Sequence, residues 1–494
     1  MNHTTLKSLL LAALTLSAAH LAANGVTNKT FLMPRAQGVN LPMHATSFYD
    51  VVHRETHTGV GATTALTGFW QQSANGQEQG KYFLADGTST IDVSPSAANN
   101  ALALPGSSLD LGTMLHVFDR ATDVAGSTLV SLDPRQEVYG LRLDYHHSLD
   151  RLLSGLYLGA AMPVVTVSNN PRLRVSDDAG HADQLTRFFA GTYSSHAPHN
   201  AQAALRTGKI AGKRTESGVA DIDVMLGYTF LDKAKYHATC GLAVTMPMGN
   251  KATGDWLFEP IVGNGQHWGL GADLSASARL WECDEQSILV SLVMKYRYLF
   301  ENNQRRVLGL TGGNQVGESN LAQYQLLGQN SPTARNVALI PAANVLAMKC
   351  DVTPGSLLDA NLGLTYRRGS FSVDLGYNMY FREAESLTVK DSLASGLAIA
   401  NAAFDTSTPF DVTHNSDVVT DSGGTDPILS LNNIDSTAAL TPSQFTNALY
   451  GGAGYTFKNF DGPVMLGLGA KYEWANNNSA LDQWGAWLKL GVGF

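Results

Sequence analysis

Charge is scarce in this chain, but its placement is regular. Asp, Glu, Lys and Arg make up 15% of 494 residues, where soluble domains average roughly 25%. Fifteen of these charges fall at alternate positions inside otherwise apolar stretches: Arg142, Asp144, Asp221, Asp223, Asp273, Arg279, Lys295, Arg297, Asp359, Arg367, Asp374, Lys458, Lys471, Glu473 and Lys489. Eight are cationic and seven anionic. A nearly neutral set suits ion pairs across a narrow polar interior, or the wall of a path for small solutes, better than strong selection of one sign of ion. Other chemistry finds little support. No Gly-x-Ser-x-Gly elbow and no His-Glu-x-x-His occur, and Gly208–Lys213 falls one residue short of a phosphate loop. His53, Glu55 and His57 share a face if extended, but such histidines are more often polar surface residues, so no metal or cofactor is expected. Cys240, Cys283 and Cys350 are odd in number and far apart, which suits neither a disulfide framework nor zinc. The chain reads as a non-enzyme. Its net charge of −9 argues against nucleic-acid binding.

The elements that carry these charges alternate with period two, as strands do. Gln483–Phe494 sets Trp484, Ala486, Leu488, Leu490, Val492 and Phe494 on one face, against Gln483, Gly485, Trp487, Lys489, Gly491 and Gly493 on the other. The same pattern recurs in Gly59–Trp70, Glu137–His147, Leu153–Val165, Gly218–Leu231, Lys235–Met246, His267–Trp281, Ser287–Phe300, Leu357–Arg367, Ser370–Phe381, Asn447–Lys458 and Gly462–Trp474. That makes twelve strands near the 9–11 residues a tilted strand needs to cross a bilayer. Aromatic residues gather near strand ends, as at Tyr228/Phe230, Tyr296/Tyr298/Phe300 and Tyr472/Trp474. Mean hydropathy is −0.07, and past the N-terminus no window has the ~18 consecutive apolar residues of a membrane helix. Alternating apolar and polar faces average out in this way in a transmembrane barrel. Lys or Arg on its lipid face at mid-bilayer costs ~2–4 kcal/mol, so the charges must point inward.

Connection lengths alternate long and short along the chain. Short links fall at 148–152, 232–234, 282–286, 368–369 and 459–461, and long ones at 71–136, 166–217, 247–266, 301–356 and 382–446. Bacterial barrels turn tightly on the periplasmic side and loop widely outside, with both termini in the periplasm. Two further candidates, Leu109–Phe118 and Asn344–Val352, raise the count to fourteen if they cross the membrane, but that breaks the alternation. Read instead as structure in the outer loops, with Val345–Val352 extending the strand from Leu357, they leave twelve.

Residues 1–19 have the weakly positive start, apolar core and small residues of a secretory signal, with cleavage as late as residue 23. Residues 20–58 do not alternate cleanly and would form a periplasmic segment or a plug, and 59–494 would form the barrel. The acidic stretch 382–446 reads as a solvated loop.

The closing strand ending in Phe494 resembles the last strand of Gram-negative outer-membrane β-barrels. That resemblance implies an all-β, closed antiparallel transmembrane barrel in the outer membrane. Its partners would be outer-membrane lipid, lipopolysaccharide and the barrel-assembly machinery that engages the last strand. Met246-Pro247-Met248-Gly249-Asn250-Lys251, followed by Gly254, Gly263 and Gly265, resembles a hairpin of the outer-membrane transporters for long-chain fatty acids and aromatic hydrocarbons. Met248 stands where that family usually has Thr, the match covers about thirty residues, and the fatty-acid branch has fourteen strands. The expected function is a channel or transporter passing small solutes through a narrow charge-lined lumen. The alternatives are a structural or adhesive surface barrel with a closed lumen, and a barrel-borne hydrolase.

Overall fold

The computed structural model describes residues 25–38, 40–46, 61–84, 88–93, 128–177, 180–196, 201–310, 322–329, 339–399 and 429–494. Twelve long antiparallel strands form the wall: β1 (Ala62–Ser73), β2 (Arg135–Ser148), β3 (Leu156–Asn170), β4 (Ile222–Lys233), β5 (Tyr236–Met246), β6 (Gly269–Cys283), β7 (Gln286–Leu299), β8 (Gly355–Arg368), β9 (Phe371–Arg382), β10 (Gln444–Phe457), β11 (Val464–Ala475) and β12 (Gln483–Gly493). Each pairs with its neighbours in sequence, and β1 pairs with β12 over Thr63↔Gly493 to Ser73↔Gln483. Ala62 and Phe494 exchange backbone hydrogen bonds of 2.8 and 2.9 Å at the seam. Closure leaves the wall no edge strand.

The register puts the greasy face of each strand outside. Leu141, Leu226, Leu242, Leu270, Leu375, Leu468 and Leu488 are exposed. Two aromatic belts bound this band. Trp70, Tyr139, Trp268, Tyr298, Phe300 and Trp484 stand near the long-loop rim, and Tyr228, Phe230, Tyr236, Phe371, Tyr455 and Phe457 near the short-turn rim, all exposed. An apolar band between two aromatic girdles is the outer surface of a membrane-spanning barrel. The five short links lie where the sequence placed them, and no helix among the described residues is long and apolar enough to cross a membrane.

Ala347–Thr353 continues β8 into the cap: across Pro354 it pairs with Asn302–Val307 and Ser386–Val389 in the same register as the wall strands below. Leu109–Phe118 lies outside the described residues, as do residues 1–24 and 47–60 with His53, Glu55 and His57. The fourth strand is broken: Arg214–Val219 pairs with β3, then Ala220 and Asp221 interrupt the ladder before β4. The break faces Pro163, whose carbonyl accepts from the Ala220 N–H (2.9 Å) but which has no N–H to return. Finally, Phe494 lies at the short-turn rim. The described chain begins at the opposite end, where Val26, Asn28, Lys29 and Thr30 bond to residues of the long connections.

Those connections fold together into an external cap. One apolar cluster unites Leu32, Tyr82, Phe83, Leu185, Phe188, Phe189, Phe258, Tyr324 and Leu481, and a second unites Leu308, Leu327, Leu346, Met348, Cys350, Leu397 and Ile399. Leu32 comes from the N-terminal segment and the others from connections that bury their apolar side chains jointly.

Candidate functional site

The inward positions of the wall are occupied from within by the chain's own N-terminal segment. From the cap, residues 30–46 run past the inward faces of β2, β8, β9, β11 and β12, and end in a short helix, α1 (Leu41–Ala45), which Asn40 caps and Pro42 opens. Pro42 suits that position because the first helical N–H groups have no intrahelical partner.

Arg35 is the centre of the contact. Its guanidinium reaches Asp359 on β8 (2.7 Å), Glu473 on β11 (3.0 Å) and the Asn378 amide oxygen on β9 (3.1 Å), and lies 4.5 Å from the centre of the Tyr380 ring. Asp359 also accepts from the Asn378 side chain (2.6 Å), and Glu473 from Lys471 (2.6 Å), Thr446 (2.6 Å) and Gln483 (2.9 Å). A planar, rigid donor fork fits acceptors spread over three strands, where a lysine would offer one compact ammonium centre.

Elsewhere the wall's cations hold the segment's backbone. Arg142 clamps Asp144 through three bonds of 2.7–3.0 Å and donates to the Gly38 carbonyl (2.6 Å). Lys489 donates to the carbonyls of His44 (2.7 Å) and Thr46 (3.0 Å), the end of α1. Lysine suits a helix C-terminus, where carbonyls lack partners and the dipole favours a cation. Arg382 and Gln444 donate to the Met33 carbonyl (3.3 and 2.9 Å). His44 Nδ1 lies 3.3 Å from Asp144.

A second charge group lies on the wall itself. Arg297 bridges Asp273 and Asp223 (3.4 Å to the latter), with Lys295 3.7 Å from Asp273 and Thr245 donating to Asp223 (2.5 Å). A cavity of about 490 Å³ opens beside it, lined by His44, Asp144, His146, Tyr157, His237 and Asp273. It extends to Asp150 and Asp232 in the short turns, so it lies on the short-turn side of α1.

Of the fifteen charges expected to face inward, ten form these two groups: Arg142, Asp144, Asp359, Lys471, Glu473 and Lys489 around the segment, and Asp223, Asp273, Lys295 and Arg297 beside the cavity. Asp374 is buried and accepts from Thr365 (2.6 Å). Arg279 instead pairs with Glu282 (2.5 Å) at the short-turn rim, where Arg367 is half-buried. Asp221 sits in the break before β4, buried against Gly263. Lys458 falls just beyond β10, in the turn.

Sequence reasoning missed the segment's own contributions and a third charge cluster, Arg306–Glu385–Arg382, at the base of the cap. Glu385 takes Arg382 at 2.7 Å, Arg306 at 3.5 Å and the Thr441 N–H at 3.0 Å. Burial resists the carboxylate, yet the two guanidiniums and the Thr441 bond keep its pKa below the usual glutamate value. Arg306 also lies 3.3 Å from the centre of the Phe31 ring. The available signal was parity: Arg382 continues the inward row Asp374, Asn378 along β9.

With this geometry in place, comparison with known proteins adds a likeness of architecture. No protein-family model matches the chain, and no curated protein matches its sequence. It resembles outer-membrane barrels of known structure. An outer-membrane channel from Pseudomonas putida F1 is similar at 11% identity, over 89% of this chain and 98% of that one, with a TM-score of 0.37. The Pseudomonas putida toluene transporter TodX is similar at 8% identity, over 95% of each chain, with a TM-score of 0.33. The β domain of the Bordetella autotransporter BrkA is similar at 10% identity, over 88% of this chain and 100% of that one, with a TM-score of 0.28. Likeness this loose carries no argument about what crosses this barrel, and the fold rests on its own closed strand pairing.

Proposed function

We propose that this protein is a channel or transporter for small solutes in the outer membrane of a Gram-negative bacterium, closed at rest by its N-terminal segment. The observation that carries the reading is Arg35, seated between Asp359 and Glu473 with side-chain exposures of 6%, 0% and 1%. A segment fixed at mid-lumen by a buried ion pair obstructs passage. Its ion pairs and backbone contacts to the wall are polar, beside the apolar packing of Met33 and Met43, and water and solute can take those polar contacts over when it moves. The cavity on the short-turn side of α1 is then the inner half of the path, with Asp223, Asp273, Lys295 and Arg297 on its wall. In this reading residues 1–19 are a secretory signal cut there or as late as residue 23, residues 20–58 are the plug, and 59–494 are the barrel. The terminal strand ending in Phe494 is what the barrel-assembly machinery engages.

The test is solute flux in liposomes. Arg35→Ala takes the guanidinium from Asp359 and leaves Glu473 with Lys471 as its cation, and removing one partner of a buried pair costs about 3–5 kcal/mol. Flux of small polar solutes should rise clearly over the wild-type rate. The apolar cap favours a second reading, a structural or adhesive barrel that never opens, and this predicts no flux from either protein.

A further inference from the structure

The cavity beneath α1 occupies one side of the lumen. Towards β10 and β12, Tyr450 and Trp487 fill the interior, lying against Gly376 and Gly469. Towards β2 to β7, the inward positions Gly159 and Ala161 carry almost no side chain, and a space of about 490 Å³ stays open. Tyr157 lies against Gly227, where any side chain would collide with its ring. His146 packs on that ring, with centres 4.7 Å apart and planes at 31°. Both line the cavity and give it one ring-lined flank.

The opposite flank is polar and incompletely bonded. Lys295 and Asp273 are cross-strand partners on β7 and β6. Lys295 Nζ stands 3.7 Å from Asp273 Oδ2, near enough to attract but too far for a hydrogen bond. Asp273 gives its other oxygen to Arg297. Among the described residues, neither Lys295 Nζ nor Asp273 Oδ2 has a hydrogen-bond partner, and both side chains line the cavity. The other two lysines of the lumen differ: Lys471 donates to Glu473 (2.6 Å), and Lys489 to two carbonyls (2.7 and 3.0 Å). Next towards the short turns, Ser275 and Thr239 face each other across β6 and β5 and share a hydrogen bond of 3.0 Å. A free donor beside a free acceptor fits a group that is both. A hydroxyl accepts from Lys295 and donates to Asp273, whereas a carboxylate meets Asp273, and an ammonium Lys295, as like charges.

We propose that this cavity binds an uncharged polyhydroxylated solute of monosaccharide size. One of its hydroxyls bridges Lys295 and Asp273, and its C–H face packs on His146 and Tyr157. The assignment deepens the channel reading, on which its use rests, by naming the class of solute; binding itself is measured without conduction.

The experiment uses the full-length protein in detergent micelles with D-glucose as the probe, read by saturation-transfer NMR. Glucose should bind saturably, and D-gluconate and D-glucosamine at least fivefold more weakly. Lys295→Met should weaken glucose binding at least tenfold. Lys295→Arg, which restores a cationic donor, should weaken it less than threefold, and so separates the lost bridge from lost folding. Equal glucose binding by Lys295→Met, gluconate or glucosamine binding as tightly as glucose, or no saturable glucose binding by the wild type would each overturn the proposal. Glucose binding without flux from the Arg35→Ala protein would leave this site standing and remove the channel, and flux without binding would do the reverse.

Discussion

The cap and the lumen are both filled, but the lumen sets buried charge beside an apolar cluster around Met43 where the cap is apolar throughout its core. In the cap, Phe188, Phe189, Tyr324 and Leu185 are at 0% exposure in a continuous apolar cluster. In the lumen the equally buried Asp359 and Glu473 meet Arg35, and Arg142 and Lys489 grip backbone carbonyls. An apolar core exposed to water loses its whole driving force. Buried charges released to water recover their hydration, so separating them costs far less than their contact energies suggest. In the proposed function, this difference makes the lumen contact the one that comes apart and the cap the anchor above it.

Breaking each region separately sharpens this contrast. The largest effect is expected at Arg35: Arg35→Ala should destabilise the seated segment by about 3–5 kcal/mol, read as protease cleavage within residues 25–46, while hydrogen exchange in the cap stays slow. Leu185→Ala should cost the cap about 2–5 kcal/mol, read as faster exchange at 182–210, without exposing Arg35 to protease. Equal response of both regions to either change would mean that they form one cooperative unit. Lys489→Met comes next. It leaves the His44 and Thr46 carbonyls without donors, and should loosen α1 by about 1–3 kcal/mol.

The smallest expected effect is a pH dependence confined to the cap. His267 binds the Phe300 carbonyl through Nδ1 (2.7 Å) and faces the Gln304 amide through Nε2 (2.8 Å). Burial pushes its pKa down to about 4. The folded cap therefore holds the ring neutral while the unfolded chain takes up a proton below about 6.5. Stability from His267 is complete above about 6.5 and is lost progressively as pH falls towards 4. Thermal unfolding followed between pH 7.5 and 4 should show that loss, and His267→Gln should flatten it.

The wall was legible in the sequence because alternation, connection parity and the exclusion of charge from lipid are local or strictly periodic rules. Gln483–Phe494 and its pairing with β1 follow from them directly. The segment was not legible in the same way. Arg35 has no periodic context, and its partners Asp359 and Glu473 lie 324 and 438 residues away. Those carboxylates were recognised as inward, but inwardness alone does not tell a charge facing water from one facing an arginine. The break at Ala220–Asp221 was missed for a simpler reason. Pro163 carries the signal, but on the neighbouring strand, where the pattern of Gly218–Leu231 gives no hint of it. The cap escaped because its clusters draw single residues from connections with no shared period.

The central claim is that residues 25–46 close an otherwise passable barrel, and planar-bilayer conductance tests it most directly. The full chain should give few or no steps, and a chain lacking residues 25–46 should give frequent, well-resolved ones. Equal conductance from the two, or none from either, would contradict the account.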